Sequence, residues 1–376
     1  MNALAPTAVY LDRIARARTS MAAAGVDALL VSVGSDLPYL TGYEAMPLER
    51  LTMLVLPRDG EATLVIPRLE APRVVPQPGV FELRRWDEVE DPVAIVAGLA
   101  GVGRRPSTVA VGDTMWARFL VALLEHWPSD RTRYVRSATV MSELRIRKDQ
   151  AEIDALVAAG AAADRVAAQL QAGEIELVGR TEAAVSAEIG ARLLAEGHDV
   201  VNFAIVAAGE NAASPHHDAS DRVIRSGELV LCDFGGTMAG YCSDITRCVS
   251  LGAPPDEVAE AYAVLHEAQA AGVAAAVVGA ACEDVDRASR RVIADAGYGE
   301  WFIHRTGHGI GMEAHEDPYM VEGNSLPIAA GHAFSVEPGI YREGRWGMRL
   351  EDCVVATDDG PLPLNRADHS LVVLDV

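Results

Sequence analysis

The strongest constraint on this chain is a pair of hairpin-like segments in its C-terminal half, each of which carries two acidic residues. The first runs from ELVLCDFGG through a turn to GYCSDITRCVS and contains Asp233 and Asp244. The second runs from HAFSVEPGIY through a longer turn to GMRLEDCVVAT and contains Glu337 and Glu351. Short apolar segments that flank a glycine-containing turn are typical of antiparallel strand pairs. Both segments therefore predict β-hairpins.

The spacing of the acidic residues predicts that they share one face of each hairpin. If the first hairpin folds about residues 238–239, Asp233 and Asp244 lie directly opposite each other. Opposite residues of an antiparallel pair point to the same face, so both carboxylates aim at one point. Glu337 and Glu351 repeat this arrangement across the second hairpin.

A fifth candidate ligand, His308, lies between the two hairpins in the segment RTGHGIGMEAH. Its neighbouring glycines allow the backbone to approach a site closely. Four carboxylates and one imidazole at one point carry about four negative charges, and burying them without cations is prohibitively costly. Two divalent cations would neutralise such a cluster, and two cations that flank a water imply hydrolysis. The donor set suits manganese, cobalt, iron or zinc.

Composition limits the class of protein. The 376 residues are 50% hydrophobic, which is ordinary for a globular chain. The net charge of −22 disfavours a nucleic acid or an anionic membrane surface as partner. The five cysteines are odd in number and show no C-x-x-C spacing, so neither a disulfide framework nor a zinc knuckle is expected. Reduced thiols, together with the lack of an apolar signal core in the first 20 residues, predict a cytoplasmic location.

The pattern of elements predicts two domains, residues 1–140 and residues 141–376. The first alternates short apolar strands with helices, which indicates an α/β domain. Clustered charges in SELRIRKDQAEIDAL then precede a long alanine-rich helix. The second domain reads as two halves, each with two helices followed by strands. We expect Thr181 to cap one of these helices and Pro255 to occupy the first turn of another.

These motifs resemble the pita-bread metallopeptidase family, in its branch of aminopeptidase P, prolidase and creatinase. The likeness extends over residues 145–376 and is closest to bacterial Xaa-Pro dipeptidases and aminopeptidases. The segment GSDLPYLTGY resembles part of the N-terminal domain of the same branch. The resemblance implies an α+β fold. A smaller α/β domain of creatinase type would precede a pita-bread domain with a pseudo-twofold β-sheet covered by helices.

Carried over residue by residue, the resemblance implies a complete active site. The metal ligands would be Asp233, Asp244, His308, Glu337 and Glu351. The catalytic residues would be His216, His315, Glu337 and Arg349, with Tyr341 beside them. Two divalent metal ions per chain, with manganese as the first choice and cobalt, zinc or iron as alternatives, would hold a bridging hydroxide that hydrolyses the Xaa-Pro bond. The family further implies a small peptide substrate with proline at the second position, and a homodimer.

Several alternatives stay open at the level of sequence. In the segment PHHD, register could favour His217 over His216. Tyr319 stands where many relatives have an arginine that helps to hold the substrate's terminal carboxylate, so dipeptidase and aminopeptidase specificity are both compatible with the sequence. A creatinase-like C–N hydrolase acting on a small non-peptide amide is a second hypothesis, although creatinases have lost the metal ligands. A non-catalytic pita-bread binding module is a third.

Overall fold

The structure, a computed structural model, describes residues 5–101 and 105–375. The chain divides into two compact units, Met1–Arg145 and Ile146–Val376. The boundary between residues 140 and 141 that the sequence suggests remains a prediction. A membrane-spanning helix is absent from the described residues, because none combines the necessary length with sufficient apolar character.

The first unit is a six-stranded mixed sheet with helices. Its helices are Thr7–Ala24 (α1), Asp36–Thr41 (α2), Pro92–Ala100 (α3), Ala117–His126 (α4) and Ala138–Arg145 (α5). Its strands are Ala28–Val31 (β1), Met53–Pro57 (β2), Thr63–Pro67 (β3), Glu82–Trp86 (β4), Thr108–Val111 (β5) and Arg133–Arg136 (β6). The sheet order is β4-β3-β2-β1-β5-β6. The central strands β1, β2 and β3 are buried throughout, which explains their continuous apolar sequences.

Among its described residues, the second unit contains two helix pairs, two five-stranded sheets and one two-stranded sheet. Its helices are Gln150–Gln171 (α6), Glu182–Ala195 (α7), Asp256–Ala275 (α8) and Cys282–Asp295 (α9). Its first set of strands is Val200–Ala208 (β7), Leu229–Met238 (β8), Tyr241–Cys242 (β9) and Ile245–Leu251 (β10). The remaining strands are Gly307–Gly309 (β11), Glu316–Met320 (β12), Ala333–Val336 (β13), Gly339–Arg342 (β14), Trp346–Arg349 (β15), Asp352–Thr357 (β16), Gly360–Pro363 (β17) and Val372–Leu374 (β18).

Local capping explains where these helices begin. Asp149 and Glu152 form a reciprocal capping box at the start of α6. The Thr181 side chain accepts a hydrogen bond from the Ala184 amide, so it caps α7 as its sequence predicts. Pro255 occupies the N-cap position of α8 instead of the first turn, and the helix begins one residue later than expected.

The two five-stranded sheets of the second unit follow similar plans, and β14 pairs with β15 in a separate two-stranded sheet. One has the order β18-β10-β8-β7, with β9 paired to β8, and it follows the helix pair α6 and α7. The other has the order β12-β11-β13-β16-β17, and it follows α8 and α9. An isolated antiparallel bridge between Thr246 and Glu351 joins the two sheets. The acidic hairpins therefore meet where the sheets come together.

Strand alternation decides which residues of the first sheet reach the meeting point. Cys232 and Phe234 on β8 pack with Val185 of α7 in one core cluster. Leu231 faces the opposite way and packs with Leu265 of α8. Because residues two apart on a strand share a face, Asp233 lies on the same face as Leu231, beyond the apolar packing.

Candidate metal centre and active-site cavity

The first acidic hairpin turns at Ala239 and Gly240, whose φ angles are +50° and +85°. Two consecutive residues with positive φ favour glycine, asparagine or aspartate, so a non-glycine residue at 239 is unusual. The strand register pairs Asp233 with Thr246 and not with Asp244. The predicted turn at residues 238–239 is therefore wrong by one position, which shifts the pairing by two residues. A shift of two preserves the face of each side chain, and the carboxylates of Asp233 and Asp244 still converge.

The second hairpin keeps the register that its sequence suggests. Val336 pairs with Asp352, and Gly339 pairs with Arg349. Continuing either register brings Glu337 opposite Glu351 on the same face. The difference from the first hairpin lies in the turn, because residues 343–345 form a longer connection that leaves the flanking pairs in place.

The two hairpins and His308 bring their polar atoms to one place. Three overlapping groups each have ligand atoms within 4.8 Å of one another. These groups are Asp233 with Asp244 and Glu351; His308 with Glu337 and Glu351; and Asp244 with His308 and His315. All five predicted metal ligands belong to this cluster, and His315 stands beside them.

The position of His308 is fixed by its own strand. Its amide donates to the Ser335 hydroxyl at 3.0 Å, and a side chain at Gly307 would collide with the Ser335 backbone. The ring Nδ1 lies 3.1 Å from the Gly309 carbonyl oxygen, which it reaches as a donor. The Nε2 lone pair is then free to face Glu337, 3.3 Å away. Burial, followed by the nearby His315, lowers the pKa of His308 to about 3, so the imidazole is neutral and able to ligate a metal.

Arg349 and Thr246 form hydrogen bonds that orient the carboxylates of Asp233 and Glu351. The Arg349 guanidinium donates to Asp233 Oδ2, to the Tyr341 hydroxyl at 2.8 Å and to the Thr246 hydroxyl at 3.1 Å. The Thr246 hydroxyl in turn donates to Glu351 Oε2 at 2.6 Å. One oxygen of Asp233 and one of Glu351 are thereby fixed, which orients the second oxygen of each carboxylate.

Those second oxygens fit a bound cation. Asp233 Oδ1, Asp244 Oδ1 and Glu351 Oε1 are buried and have no hydrogen-bond partner among the described residues. Burial, reinforced by repulsion from neighbouring carboxylates, raises the pKa of Asp244 and of Glu351 well above their ordinary values. Buried acceptors without donors are costly unless a cation satisfies them. Oxygen ligands with one imidazole suit a hard or borderline divalent metal.

A cavity of about 750 Å³ opens over this cluster. His216 lines the cavity, whereas His217 turns away and lies 2.8 Å from the Glu182 carboxylate. The structure thus brings His216, and not its neighbour, to the candidate site. The ring of His315 lies over that of His308, with 3.9 Å between the ring centroids. His216, His315, Glu337 and Arg349, the predicted catalytic residues, therefore all border one cavity.

Sequence reasoning did not single out several residues that border or support the site. Thr246 follows Asp244 by two positions, so strand alternation alone would have placed it on the same face. His304, which the sequence gave no reason to select, lines the cavity and lies 2.9 Å from the Tyr341 hydroxyl. Arg305 also lines the cavity, and its guanidinium carbon lies 4.3 Å above the centre of the Tyr319 ring.

The carboxylate cluster predicts a pH dependence of stability in the metal-free protein. Burial raises the pKa of Glu337 from 4.5 to about 7. A carboxyl group whose pKa is higher in the folded than in the unfolded state stabilises the protein at pH values below its unfolded-state pKa. This stabilisation is lost as the pH rises through the folded-state pKa of about 7. The difference in unfolding free energy between the parent and Glu337→Gln should therefore fall by up to about 3 kcal/mol between pH 5 and pH 8. Urea denaturation with chelator present measures it.

The comparison with Glu337→Gln removes contributions that both proteins share. Buried histidines such as His308 and His304 have lowered pKa values and make stability rise with pH up to about 6.5, which opposes the carboxylate effect. Their contribution largely cancels in the difference. A difference that stays flat, or that increases with pH, would contradict a buried and repelled Glu337.

Two family models match the chain. Metallopeptidase family M24 matches residues 154–358, and the Creatinase/Prolidase N-terminal domain matches residues 13–147. A probable dipeptidase PepE of Mycobacterium tuberculosis is 44% identical over 373 residues, which cover 98% of this chain and 97% of that protein. The Xaa-Pro dipeptidase of Lactobacillus delbrueckii subsp. lactis is 36% identical, with 94% and 96% coverage.

Solved structures agree with these likenesses. The crystal structure of dipeptidase PepE from Mycobacterium ulcerans has a TM-score of 0.93 and 45% identity, and each chain is covered completely. A prolidase from Thermococcus sibiricus has a TM-score of 0.90 and 36% identity, with 97% of this chain and 99% of that chain covered. The predicted α+β class, a creatinase-type domain followed by a pita-bread domain, is confirmed. This chain belongs to metallopeptidase family M24.

Proposed function

We propose that this protein is a dinuclear metal-dependent exopeptidase that hydrolyses the Xaa-Pro bond of dipeptides. The observation that carries the proposal is the complete ligand set. Four carboxylates and one imidazole converge within one cavity, and three of the carboxylates present buried oxygens that have no donor in the described part of the chain. When bound, two divalent cations would neutralise these charges and activate a water for attack on a carbonyl. Manganese is the cation that we favour.

The chain's own residues would supply the remaining parts of the reaction. Glu337 has a pKa of about 7 without cations and lies at the edge of the cluster, so we assign it the role of accepting and returning a proton. His216 and His315 line the cavity from two different segments and would donate hydrogen bonds to the substrate carbonyl as its oxygen becomes negative. Arg349 would keep Asp233 oriented throughout.

The cavity also suits a small peptide. Its volume of about 750 Å³ lies within the range of small-molecule sites. Phe203, Ile205 and Ile303 form an apolar part of its lining, against which a prolyl ring or an aliphatic side chain would pack. Proline at the second position is supported by the Xaa-Pro dipeptidase named among the relatives.

We favour a dipeptidase over an aminopeptidase because the positively charged side chain of Arg305 lines the cavity. Arg305 lines a cavity crowded with carboxylates, yet no described carboxylate lies within ion-pair distance of its guanidinium. The Tyr319 ring supports that guanidinium from one side. A free carboxylate at the end of a dipeptide would be the matching partner. The relatives named as dipeptidases agree with this preference.

Substrate comparison tests the proposal. With manganese bound, kcat/KM for alanyl-proline should exceed that for alanyl-prolinamide and for alanyl-prolyl-alanine by about 10²-fold or more, because only the dipeptide offers its carboxylate to Arg305. Chelation should abolish the activity, and added manganese should restore it. Initial rates measured by chromatography of released proline or prolinamide provide the comparison.

Each alternative gives a different result in the same assay. Faster cleavage of the tripeptide would favour an aminopeptidase of the Xaa-Pro type. Hydrolysis of creatine with no cleavage of any peptide would support the C–N hydrolase. Two bound metals without turnover of any substrate would support a binding module. An inactive preparation that binds no metal would contradict the dinuclear site itself.

A further inference from the structure

No side chain among the described residues holds the His216 ring in place. Its imidazole lines the cavity and is exposed, and no described residue forms a hydrogen bond with either ring nitrogen. The backbone around it therefore sets the Cα–Cβ direction from which the ring enters the cavity. That backbone belongs to the segment of residues 209–220, which begins with the 3-10 turn Gly209–Ala213 and then crosses the cavity wall.

A single buried carboxylate accepts hydrogen bonds from several residues of this segment. Glu182, the first residue of α7, has 0% of its surface exposed. Its two oxygens accept hydrogen bonds from both ends of the segment. The donors are the Ala208 amide at 2.9 Å, the Asn211 amide group at 3.1 Å, His217 Nε2 at 2.8 Å, the Ser220 amide at 3.2 Å and the Ser220 hydroxyl at 2.6 Å.

The direct neighbour of His216 is part of this network. Glu182 is ionised, because the hydrogen bonds from Ser220, Ala208 and His217 hold its pKa below the ordinary value even though burial alone would raise it. An ionised carboxylate only accepts hydrogen bonds, so His217 Nε2 must donate. On the other side of His216, the Pro215 carbonyl accepts a hydrogen bond from Arg349 at 3.3 Å. His216 is thus held by its two chain neighbours.

We propose that Glu182 is a positioning residue that acts through His217 to aim the His216 imidazole into the cavity. This inference rests on the proposed function, in which His216 contacts the substrate. Glu182 itself lies outside the cavity lining and touches no candidate metal ligand. Its contribution is geometric, and a small displacement of a catalytic group is enough to lower a rate about 10²-fold.

Isosteric substitution in the manganese-loaded enzyme tests the inference. Glu182→Gln should lower kcat for alanyl-proline by about 10- to 100-fold, because an amide nitrogen would face the donors that now meet a carboxylate oxygen. KM should change less than about threefold, and bound metal should stay unchanged, since no ligand moves. Glu210→Gln, in the same segment but exposed and paired with the Arg222 guanidinium, is the matched control and should retain parental kcat.

Substitutions at residue 217 keep the test valid if Glu182→Gln folds poorly. His217→Phe removes the donor and should lower kcat by about tenfold. His217→Tyr supplies a phenolic donor on a similar ring and should restore kcat to within about threefold of the parent. A purely structural role for the ring would not distinguish these two variants, so equal kcat values for them would overturn the inference.

A double-mutant cycle separates this inference from the proposed function. His216→Ala should lower kcat, and adding Glu182→Gln to it should cost less than about threefold more, because the aimed group is already gone. Equal losses in both backgrounds would overturn the positioning role. An impaired His216→Ala variant beside a fully active Glu182→Gln variant would overturn that role alone. A fully active His216→Ala variant would overturn both the positioning role and the part of the proposed function that assigns substrate contact to His216.

Discussion

Asp244→Asn is expected to lower kcat/KM for alanyl-proline by at least about 10³-fold and to reduce the bound metal per chain. Asp244 takes part in two of the three ligand groups, one with Asp233 and Glu351 and one with His308. An amide at this position keeps the shape of the side chain but withdraws one negative charge from both of the ligand groups that would hold cations. Loss of several kcal/mol of charge stabilisation corresponds to a rate loss of this size.

The same substitution should have the opposite effect on the stability of the metal-free protein. Without metal, Asp244→Asn should raise the free energy of unfolding by about 1–3 kcal/mol at pH 8, because it removes a buried carboxylate that Glu351 and Asp233 repel. With metal present, the same variant should be less stable than the parent, since it gains less from binding. Metal analysis and urea denaturation, with and without manganese, measure both effects.

The matched control for this variant is Asp295→Asn, at the exposed end of α9. It makes the same chemical change outside the cavity and should leave metal content, activity and stability unaltered. Unchanged metal content in Asp244→Asn would remove the dinuclear centre from the proposal. A loss of stability in the metal-free variant would contradict the view that repulsion among these carboxylates is relieved only by cations.

The residues that converge could be predicted because the strand pairing within each hairpin is set by residues close together in the sequence. Glu337 and Glu351 meet as their sequence suggests, since a longer turn leaves the pairing around them undisturbed. The first hairpin shows where local reasoning loses accuracy. Its turn includes Ala239 at positive φ, a position that sequence preferences assign to glycine or asparagine. Asp233 and Asp244 still lie on one face as predicted, because the strand pairing is shifted by two residues and a shift of two keeps each side chain on its face.

The supporting contacts could not be predicted, because they depend on the packing of distant segments. Glu182 and His217 are 35 positions apart, and Thr246 and Glu351 are 105 apart. Nothing in the local pattern around Glu182 distinguishes it from an ordinary acidic residue in a first helical turn. Likewise, the polar edge strands β4 and β6 of the first unit lack the apolar alternation by which a strand is recognised.

Glu337→Gln is expected to lower kcat by about 10²- to 10⁴-fold while most of the metal stays bound. Among the described residues, Glu337 belongs to one ligand group and Asp244 to two, so replacing Glu337 should disturb the cations less than the loss of Asp244. Glutamine retains an oxygen beside His308 but has no carboxylate to accept a proton, and general acid–base catalysis contributes a factor of this size. Metal analysis and kcat, measured on the same preparations, separate the two roles.

Comparing bound metal and kcat between Asp244→Asn and Glu337→Gln tests whether Glu337 carries the proton. Glu343→Gln, in the exposed turn of the same hairpin, controls for the chemical change and should keep parental kcat. If Glu337→Gln loses metal in parallel with activity, Glu337 is only a ligand, and another group must move the proton. If it keeps both metal and kcat within tenfold of the parent, a raised pKa in a crowded carboxylate cluster has no catalytic role here. Only the combination of retained metal with a large loss of kcat assigns proton transfer to Glu337.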